Sequence, residues 1–537
     1  MIKSCSKYQV AGIKYICKEK ANIPTTCYLL LSTFPMPIYE PIIGLEIHIQ
    51  LKTKSKMFCG CSAHETGVQP NTNVCPICLG QPGALPVPNE QAIRFGVLMG
   101  LALNCTIAER SKFDRKNYFY PDLPKAYQIS QFDLPIAING FLDIEIPNGQ
   151  RKHAHIGITR AHLEEDAAKS FHTENGKTCV DFNRGGTPLV EIVTEPDFRS
   201  PQEAKIFLQE LRLIARYLGV SDADMEKGHL RCDANVSLRK FNEDGTVSGA
   251  MFNPKTEIKN MNSFRHVERA LEYEIERQTQ LWEEEKPPKV STTRGWNDGK
   301  QITEEQRSKE DAADYRYFPE PDIPALELAE IAEEMRKELP ELPAARRVRM
   351  SEEYGLKLSD ARQICDDPAL ADFTEQTFSE LLEWVENPSE LEGLKGLARL
   401  VSGWLLSKLT GLMSERSIDI RTIKITPENF AEFITLIATK KLNNTTGIKV
   451  LNSMLDDGND PTHIMEDQRL GQMDDEGKLA EVVDRVISTH PVEVARYQAG
   501  EEQLLTFLIG MVMKETEGTA DAAITRNILL VKLKSLK

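Results

Sequence analysis

The sequence predicts an α+β region followed by a wholly helical one. Three observations carry this. From Pro37 to about Pro324, short segments alternate apolar and polar residues with period two, between Gly, Pro and Asn turns and a few amphipathic helices. After IPALELAEIAEEMRKELP the strand pattern gives way to helical runs separated by Pro-, Gly- or Asn-rich turns such as GNDP at 458–461. The chain has 537 residues, 41% of them hydrophobic, which is too long for one compact domain and ample for real cores. A net charge of -16 excludes a binder of nucleic acid over its whole surface, but leaves room for a local basic groove.

The first 35 residues carry five lysines, one acid and the apolar patch CYLLLSTF; a cleaved targeting segment is one reading, but a clear cleavage pattern is lacking and translation is expected to begin at Met36, just before the structured sequence. Next comes GLEIHIQL (44–51). Leu45, Ile47, Ile49 and Leu51 point one way, Glu46, His48 and Gln50 the other, as on a strand with one buried face. That pattern alone fits a strand with a wet face as well as an acid and an imidazole aimed at a cation. FLDIEI (141–146) and HAHIGITRAHLEE (153–165) read as further strands, with NG turn signals at Asn139-Gly140 and Asn148-Gly149. A helix is expected over 201–218. Ser200 caps it, Pro201 opens it, Glu203 closes a capping box, Phe207, Leu211, Ile214 and Leu218 form its buried stripe, and Gly219 ends it. A charged amphipathic helix follows from about Ser263 to Trp282. The expected layout is an extension at 1–36, an α+β region at 37–325, a connecting helical segment at 326–395 and a terminal helical domain at 396–537.

Four of eleven cysteines fall between Cys59 and Cys78. The pairs Cys59-x-Cys61 and Cys75-x2-Cys78, thirteen residues apart, can deliver four thiolates to one tetrahedral zinc; four unrelated core cysteines are the plainer reading. A closed sulfur shell leaves no position for water, so such a zinc is structural, and a free-standing zinc hydrolase is disfavoured. His64 is a weaker substitute ligand. The scattered remaining cysteines point to a reducing compartment. No apolar run reaches membrane-spanning length.

SKFDRKNYFYPDLPKAYQISQ (111–131) interleaves Lys112, Arg115, Lys116 and Lys125 with five aromatic rings. Cations can take phosphates while rings stack on bases, though a structured loop with core aromatics fits equally. HLEEDAAK offers Glu164, Glu165 and Asp166. NRGGTPLVEIVTEPD offers Arg184, Glu191 and Glu195, and RCDANVSLR offers Asp233. Carboxylates with one imidazole suit magnesium or manganese on nucleotide phosphates. The P-loop, the dinucleotide fingerprint and G-x-S-x-G are all absent from the sequence.

In order along the chain, GLEIHIQL, CPICLGQPGALPVPN, RKNYFYPDLPKAYQISQ, HLEEDAAK, DFNRGGTPLVEIVTEPDFRSP, RCDANVSLR, TEIKNMNSF and DYRYFPEPD resemble the GatB-type subunit of the tRNA-dependent amidotransferases. The resemblance runs from about Tyr39 to the carboxyl terminus. It implies a cradle-shaped catalytic domain, a helical linker and a helical tail domain. It also implies an ATP-dependent ligase of heterotrimeric assembly, active only with an amidase partner and a small third partner. Such a protein phosphorylates the side-chain carboxylate of glutamyl-tRNA(Gln) or aspartyl-tRNA(Asn), and ammonia from glutamine then displaces the phosphate. The missing amidase motif is explained, since glutamine hydrolysis belongs to another chain. The alternative is a zinc-stabilised RNA-binding module without catalysis. The resemblance implies ATP, magnesium and structural zinc, and a cytoplasmic protein, with an organellar matrix as the lesser expectation.

Carried over by motif, Glu46, His48, Glu164, Glu165 and Asp233 are the expected catalytic residues: Glu46 and His48 hold magnesium with Glu165 or line the mouth of the ammonia channel, and Asp233 meets the same ion or guides ammonia. Lys116, Lys125 and Arg184 are expected at ATP or the tRNA acceptor end. Cys59, Cys61, Cys75 and Cys78 match the zinc positions. Two departures stand out: Ala313 replaces an expected histidine, and Glu501 and Glu502 stand where relatives tend to be basic, which predicts weaker contact of that turn with tRNA phosphates.

Overall fold

The computed structural model describes residues 39–536 apart from 65–66, 174, 243–244, 249–251, 309–313, 384–390, 472 and 474, together with a two-residue pairing of Gln9–Val10 with Ile13–Lys14. Ala313 and the rest of the expected 1–36 extension lie outside the described residues. The chain divides into two compact units, Met1–Pro340 and Glu341–Lys537.

The first unit is built on a ten-stranded sheet. Its order from one edge is Ile302–Ser308, Thr292–Asn297, Thr256–Met261, Leu230–Phe241, Tyr39–Gln50, Pro188–Thr194, His153–Glu165, Ala137–Glu145 and Thr106–Ile107, with Val247–Ser248 paired beside Leu230–Phe241. All neighbours run antiparallel except Thr256–Met261 and Thr292–Asn297. The Tyr39–Gln50 strand lies centrally because both its edges are taken. It keeps the expected alternation: Ile43, Leu45, Ile47 and Ile49 are fully buried, while Glu46 and His48 sit on the other face.

The apolar face is covered by helices. Pro201–Tyr217 packs on Phe264–Glu283 and on the Ala137–Glu145 strand, and Glu90–Ala102 packs on His153–Glu165. Ser200 accepts from the Glu203 N–H, and Phe207, Leu211 and Ile214 are buried as the periodicity demands. The expected capping box does not close. The Glu203 carboxylate instead accepts from the Arg199 N–H (2.8 Å) and from Arg151, a charge-assisted partner that outbids the Ser200 N–H.

Asn139-Gly140 is not a turn. It lies inside the Ala137–Glu145 strand, with Asn139 at φ +55 across from Thr159. A Cβ at Gly140 would sit 2.3 Å from the Cys105 sulfur and 2.5 Å from the Leu103 carbonyl oxygen, so only glycine fits there. Asn148-Gly149 does form the hairpin turn. At the same level Thr159 is an extra residue against the neighbouring strand, whose partners step from Arg160 to Ile158. The core positions accordingly run Ala154, Ile156, Ile158 and then Ala161, Leu163. The strand changes which face its even-numbered residues occupy.

The strand Leu326–Glu327 pairs with Arg110–Ser111, and the helix Ala329–Glu338 packs on Glu90–Ala102, so this stretch belongs to the first unit and not to a connecting segment beginning at 326. The second unit is helical. One apolar cluster gathers Met350 to Leu470 and another Leu479 to Leu533. The helix Leu391–Trp404 runs straight through the expected 395/396 boundary, because its Ala398, Val401 and Trp404 pack into the first of these clusters. Among the described residues no helix is long and apolar enough to cross a membrane.

Candidate functional site

The sheet face opposite the helices carries polar side chains in lateral rows. Arg231, His48, Glu191 and His162 are successive cross-strand partners, and Asp233 pairs with Glu46 in the next row. Directly opposed residues on one face lie within reach of one another, so four strands deliver their polar groups to one place. His48 Nε2 lies 3.0 Å from Glu164 and 3.2 Å from Glu191. His162 Nε2 lies 3.4 Å from Glu191. One ligand atom each from Glu46, His48 and Glu191 fits within 4.8 Å, as does the set His162, Glu164 and Glu191.

These residues form the floor of a cavity of about 660 Å³, whose walls include Lys116, Tyr118, Phe132, Arg231, Lys259, Tyr315 and Tyr317. Phe132 stacks on Tyr317 at 4.1 Å, and the Lys116 ammonium sits 5.1 Å from the Tyr315 ring centre. Burial disfavours the charged His48 ring, but its bonds to Glu164 and Glu191 prevail and raise its pKa. Burial likewise works against a charged Glu191, yet His162, His48 and Lys116 together lower its pKa below the carboxylate range. Glu46 is pushed up by burial and by Glu191. Lys116 and Lys259 are held charged against burial, by Glu164 and Asp233 respectively. The floor is thus a concentration of negative charge ringed by cations.

The structure brings Glu46, His48, Glu164 and Asp233 into this cavity together with Lys116, and keeps Glu165, Lys125 and Arg184 out of the ion cluster. Adjacent strand residues face opposite ways. Glu165 therefore turns from His48 and takes Lys125 at 2.6 Å and the Ile129 N–H at 3.0 Å. The expected magnesium position of Glu165 is therefore not beside His48; the carboxylates that approach His48 there are Glu164 and Glu191. Asp233 bonds Lys259 at 2.5 Å. Arg184 reaches Asp166 at 2.7 Å, which Arg231 also grips, so Arg184 holds a carboxylate that positions the cavity wall. His162 was not among the expected site residues. Strict alternation along HAHIGITRAHLEE puts His162 on the face of Ile156 and Ile158, and only the irregularity at Thr159 sends it to the cavity.

The four cysteines also converge, with their sulfurs all within 4.8 Å. Cys75 and Cys78 sulfurs lie 3.8 Å apart, matching the roughly 3.8 Å between thiolates on a tetrahedral zinc with bonds of about 2.3 Å. The Cys75 N–H donates to Cys78, and Gly80 takes φ +65 at the end of the turn. The Cys78 thiol is held down at about 4, first by its bond to Cys59 and then, against burial, by the Cys75 N–H and Lys56. His64 is exposed and stands outside this set. All eight described cysteines are free.

Residues 41–334 match the GatB/GatE catalytic domain and residues 390–533 the GatB domain. The chain belongs to the GatB/GatE family. It is 46% identical over 497 residues to the B subunit of the aspartyl/glutamyl-tRNA(Asn/Gln) amidotransferase of Thermotoga maritima, covering 91% of this chain and 98% of the relative. It is 44% identical over 503 residues to the protein of the same name from Brevibacillus brevis, covering 93% and 100%. The catalytic-domain match contains the whole polar floor, the cavity walls and the cysteine cage of this GatB-type chain.

Proposed function

We propose that this chain is the B subunit of a tRNA-dependent amidotransferase and that the 660 Å³ cavity is where ATP activates the misacylated side chain. A free carboxylate is a poor acceptor for ammonia because oxide is a bad leaving group. In the proposed sequence, a carboxylate oxygen of glutamyl-tRNA(Gln) or aspartyl-tRNA(Asn) attacks the γ-phosphorus and ADP departs. Ammonia then attacks the carbonyl carbon, phosphate departs and the amide remains. Such phosphoryl transfer needs positioning and charge neutralisation more than covalent help.

The observation that carries this reading is the convergence of Glu46, His48, Glu164 and Glu191 beneath Lys116, Arg231 and Lys259. Three carboxylates and an imidazole fit a divalent cation, which when bound neutralises phosphate oxygens. Lys116, Arg231 and Lys259 are the protein's own cations for the phosphates, and Glu46 and Asp233 anchor the floor toward Lys259. The cysteine cage takes a structural zinc, since its sulfurs leave no open position. An amidase partner supplies ammonia and a small third partner completes the enzyme, which we assign to the cytoplasm alongside translation. The convergence of buried acids favours this over a non-catalytic RNA-binding module, which needs none of them.

Reconstituted with its amidase and small partners, the chain is expected to convert Glu-tRNA(Gln) or Asp-tRNA(Asn) to the amidated form only with ATP and glutamine. E191Q is expected to lose at least about a hundredfold in acyl-phosphate formation while tRNA binding persists. Full activity without ATP, or an active E191Q, would overturn the assignment.

A further inference from the structure

Lys56 is among the largest fully buried side chains, 1% exposed, and it lies three residues before the first cysteine of the cage. Its ammonium contacts the Asn73 carbonyl (3.1 Å), the Phe182 carbonyl (3.4 Å) and the Cys78 sulfur (3.8 Å). Among the described residues no carboxylate pairs with it, although a buried ammonium needs a counter-charge. Four thiolates around a divalent metal would carry a net double negative charge, and Cys59 and Cys78 of the four are buried. The Lys56 ammonium meets the cage at the Cys78 sulfur.

The contacts have a second consequence. Asn73 belongs to the loop between the two cysteine pairs, and Phe182 opens the loop that holds Arg184. The Met57 N–H donates to the Gly186 carbonyl and the Asn73 N–H to the Asn183 side chain, so this seam joins the cage to the loop before the Pro188–Thr194 strand. Gly186, which has φ +88, lies in van der Waals range of the Lys56 side chain, 3.5 Å from where a Cβ would stand.

We propose that Lys56 is the built-in counter-charge of the four-sulfur centre, retaining its metal and fastening the cage to the Arg184 loop. This rests on reading the cage as a metal site. Residues just outside a metal's ligands typically change its affinity ten- to a hundredfold.

The test begins with the metal content of the full-length protein, because a wild-type chain that binds no zinc at the four cysteines would overturn the cage reading itself. With zinc present, its release to a chromophoric chelator is timed. K56R, which keeps the charge, is expected to stay within about threefold of wild type. K56Q and K56M are expected to release zinc at least about tenfold faster. K56Q keeps donors for the two carbonyls without the charge, so a K56Q rate equal to wild type would overturn the proposal. A third measurement needs no variant. In wild-type protein, amine acylation read by mass spectrometry should spare Lys56 while zinc is bound and reach it after chelation, with exposed Lys54 modified equally in both states. Equal modification of Lys56 with and without zinc would overturn it as well.

Discussion

Asp166 is the clearest point at which to perturb the cavity wall without touching its floor. It is 6% exposed, and its carboxylate accepts from Arg184 Nε at 2.7 Å, from Arg231 Nη1 at 3.1 Å and from Arg231 Nη2. Burial opposes its charge, but the two guanidinium groups, Arg231 first, lower its pKa below the usual carboxylate value. D166N keeps the shape and removes the charge. Breaking a buried ion pair from one side costs about 3–5 kcal/mol. The Arg231 side chain is 42% exposed and that of Arg184 19%, so water relieves part of the stranded charge and the lower end, about 3 kcal/mol, is expected. The backbone bonds of Asp166 to Thr187 and Gly186 do not depend on the carboxylate and survive the change.

The measurement is urea unfolding followed through buried Trp296, which lies in the same unit, comparing midpoints at unchanged slope. A pH series supplies the sign. A carboxyl group whose folded pKa is depressed contributes stability that is complete above its unfolded value, near 3.9, and is lost as pH falls through the folded value. The gap between wild type and D166N should therefore be full at pH 7 and close well below pH 4. A gap under about 1 kcal/mol at pH 7, or one that persists undiminished in acid, would refute the ion-pair account.

The neighbouring acids Glu164 and Glu165 should separate cleanly. E164Q is expected to raise the magnesium concentration for half-maximal acyl-phosphate formation about ten- to a hundredfold, whereas E165Q, which faces Lys125, leaves it unchanged; equal effects would put both on the cavity face. G140A is expected to destabilise the first unit by about 1–3 kcal/mol in the same urea assay, because its methyl group would meet the Cys105 sulfur and the Leu103 carbonyl. Wild-type stability in G140A would show that the strand relaxes freely there.

The parts of this protein legible in its sequence are those set by local periodicity and chain punctuation. GLEIHIQL reads correctly as a half-buried strand, because four alternating aliphatic side chains admit no other face. Ser200-Pro201 and the Phe207, Leu211, Ile214 stripe read correctly because capping and helical spacing are local properties. What local pattern cannot carry is register. That Glu191 sits opposite both His48 and His162 depends on how three strands distant in sequence are paired. Glu164 and Glu165 look equivalent in HLEEDAAK, yet only one of them can share a face with His48. The Asn139-Gly140 signal was real, since it marks a positive φ, but the backbone uses it as a kink within a strand and not to reverse direction.

That kink bears directly on the site. Ile156 and Ile158 must face the helical layer, and so must Leu163, which lies 2.9 Å from where a side chain on Gly96 of the Glu90–Ala102 helix would start. An unbroken strand cannot satisfy both, because even and odd residues point to opposite faces. Without the extra residue at Thr159, His162 and Glu164 would enter the apolar layer, where an uncompensated carboxylate is among the costliest groups to bury. With it, the apolar side chains stay on the helices and three polar ones, Arg160, His162 and Glu164, turn into the cavity. The extra residue at Thr159, opposite Asn139, thus lets a single strand keep its apolar side chains on the helical side along its whole length while His162 and Glu164 line the cavity floor.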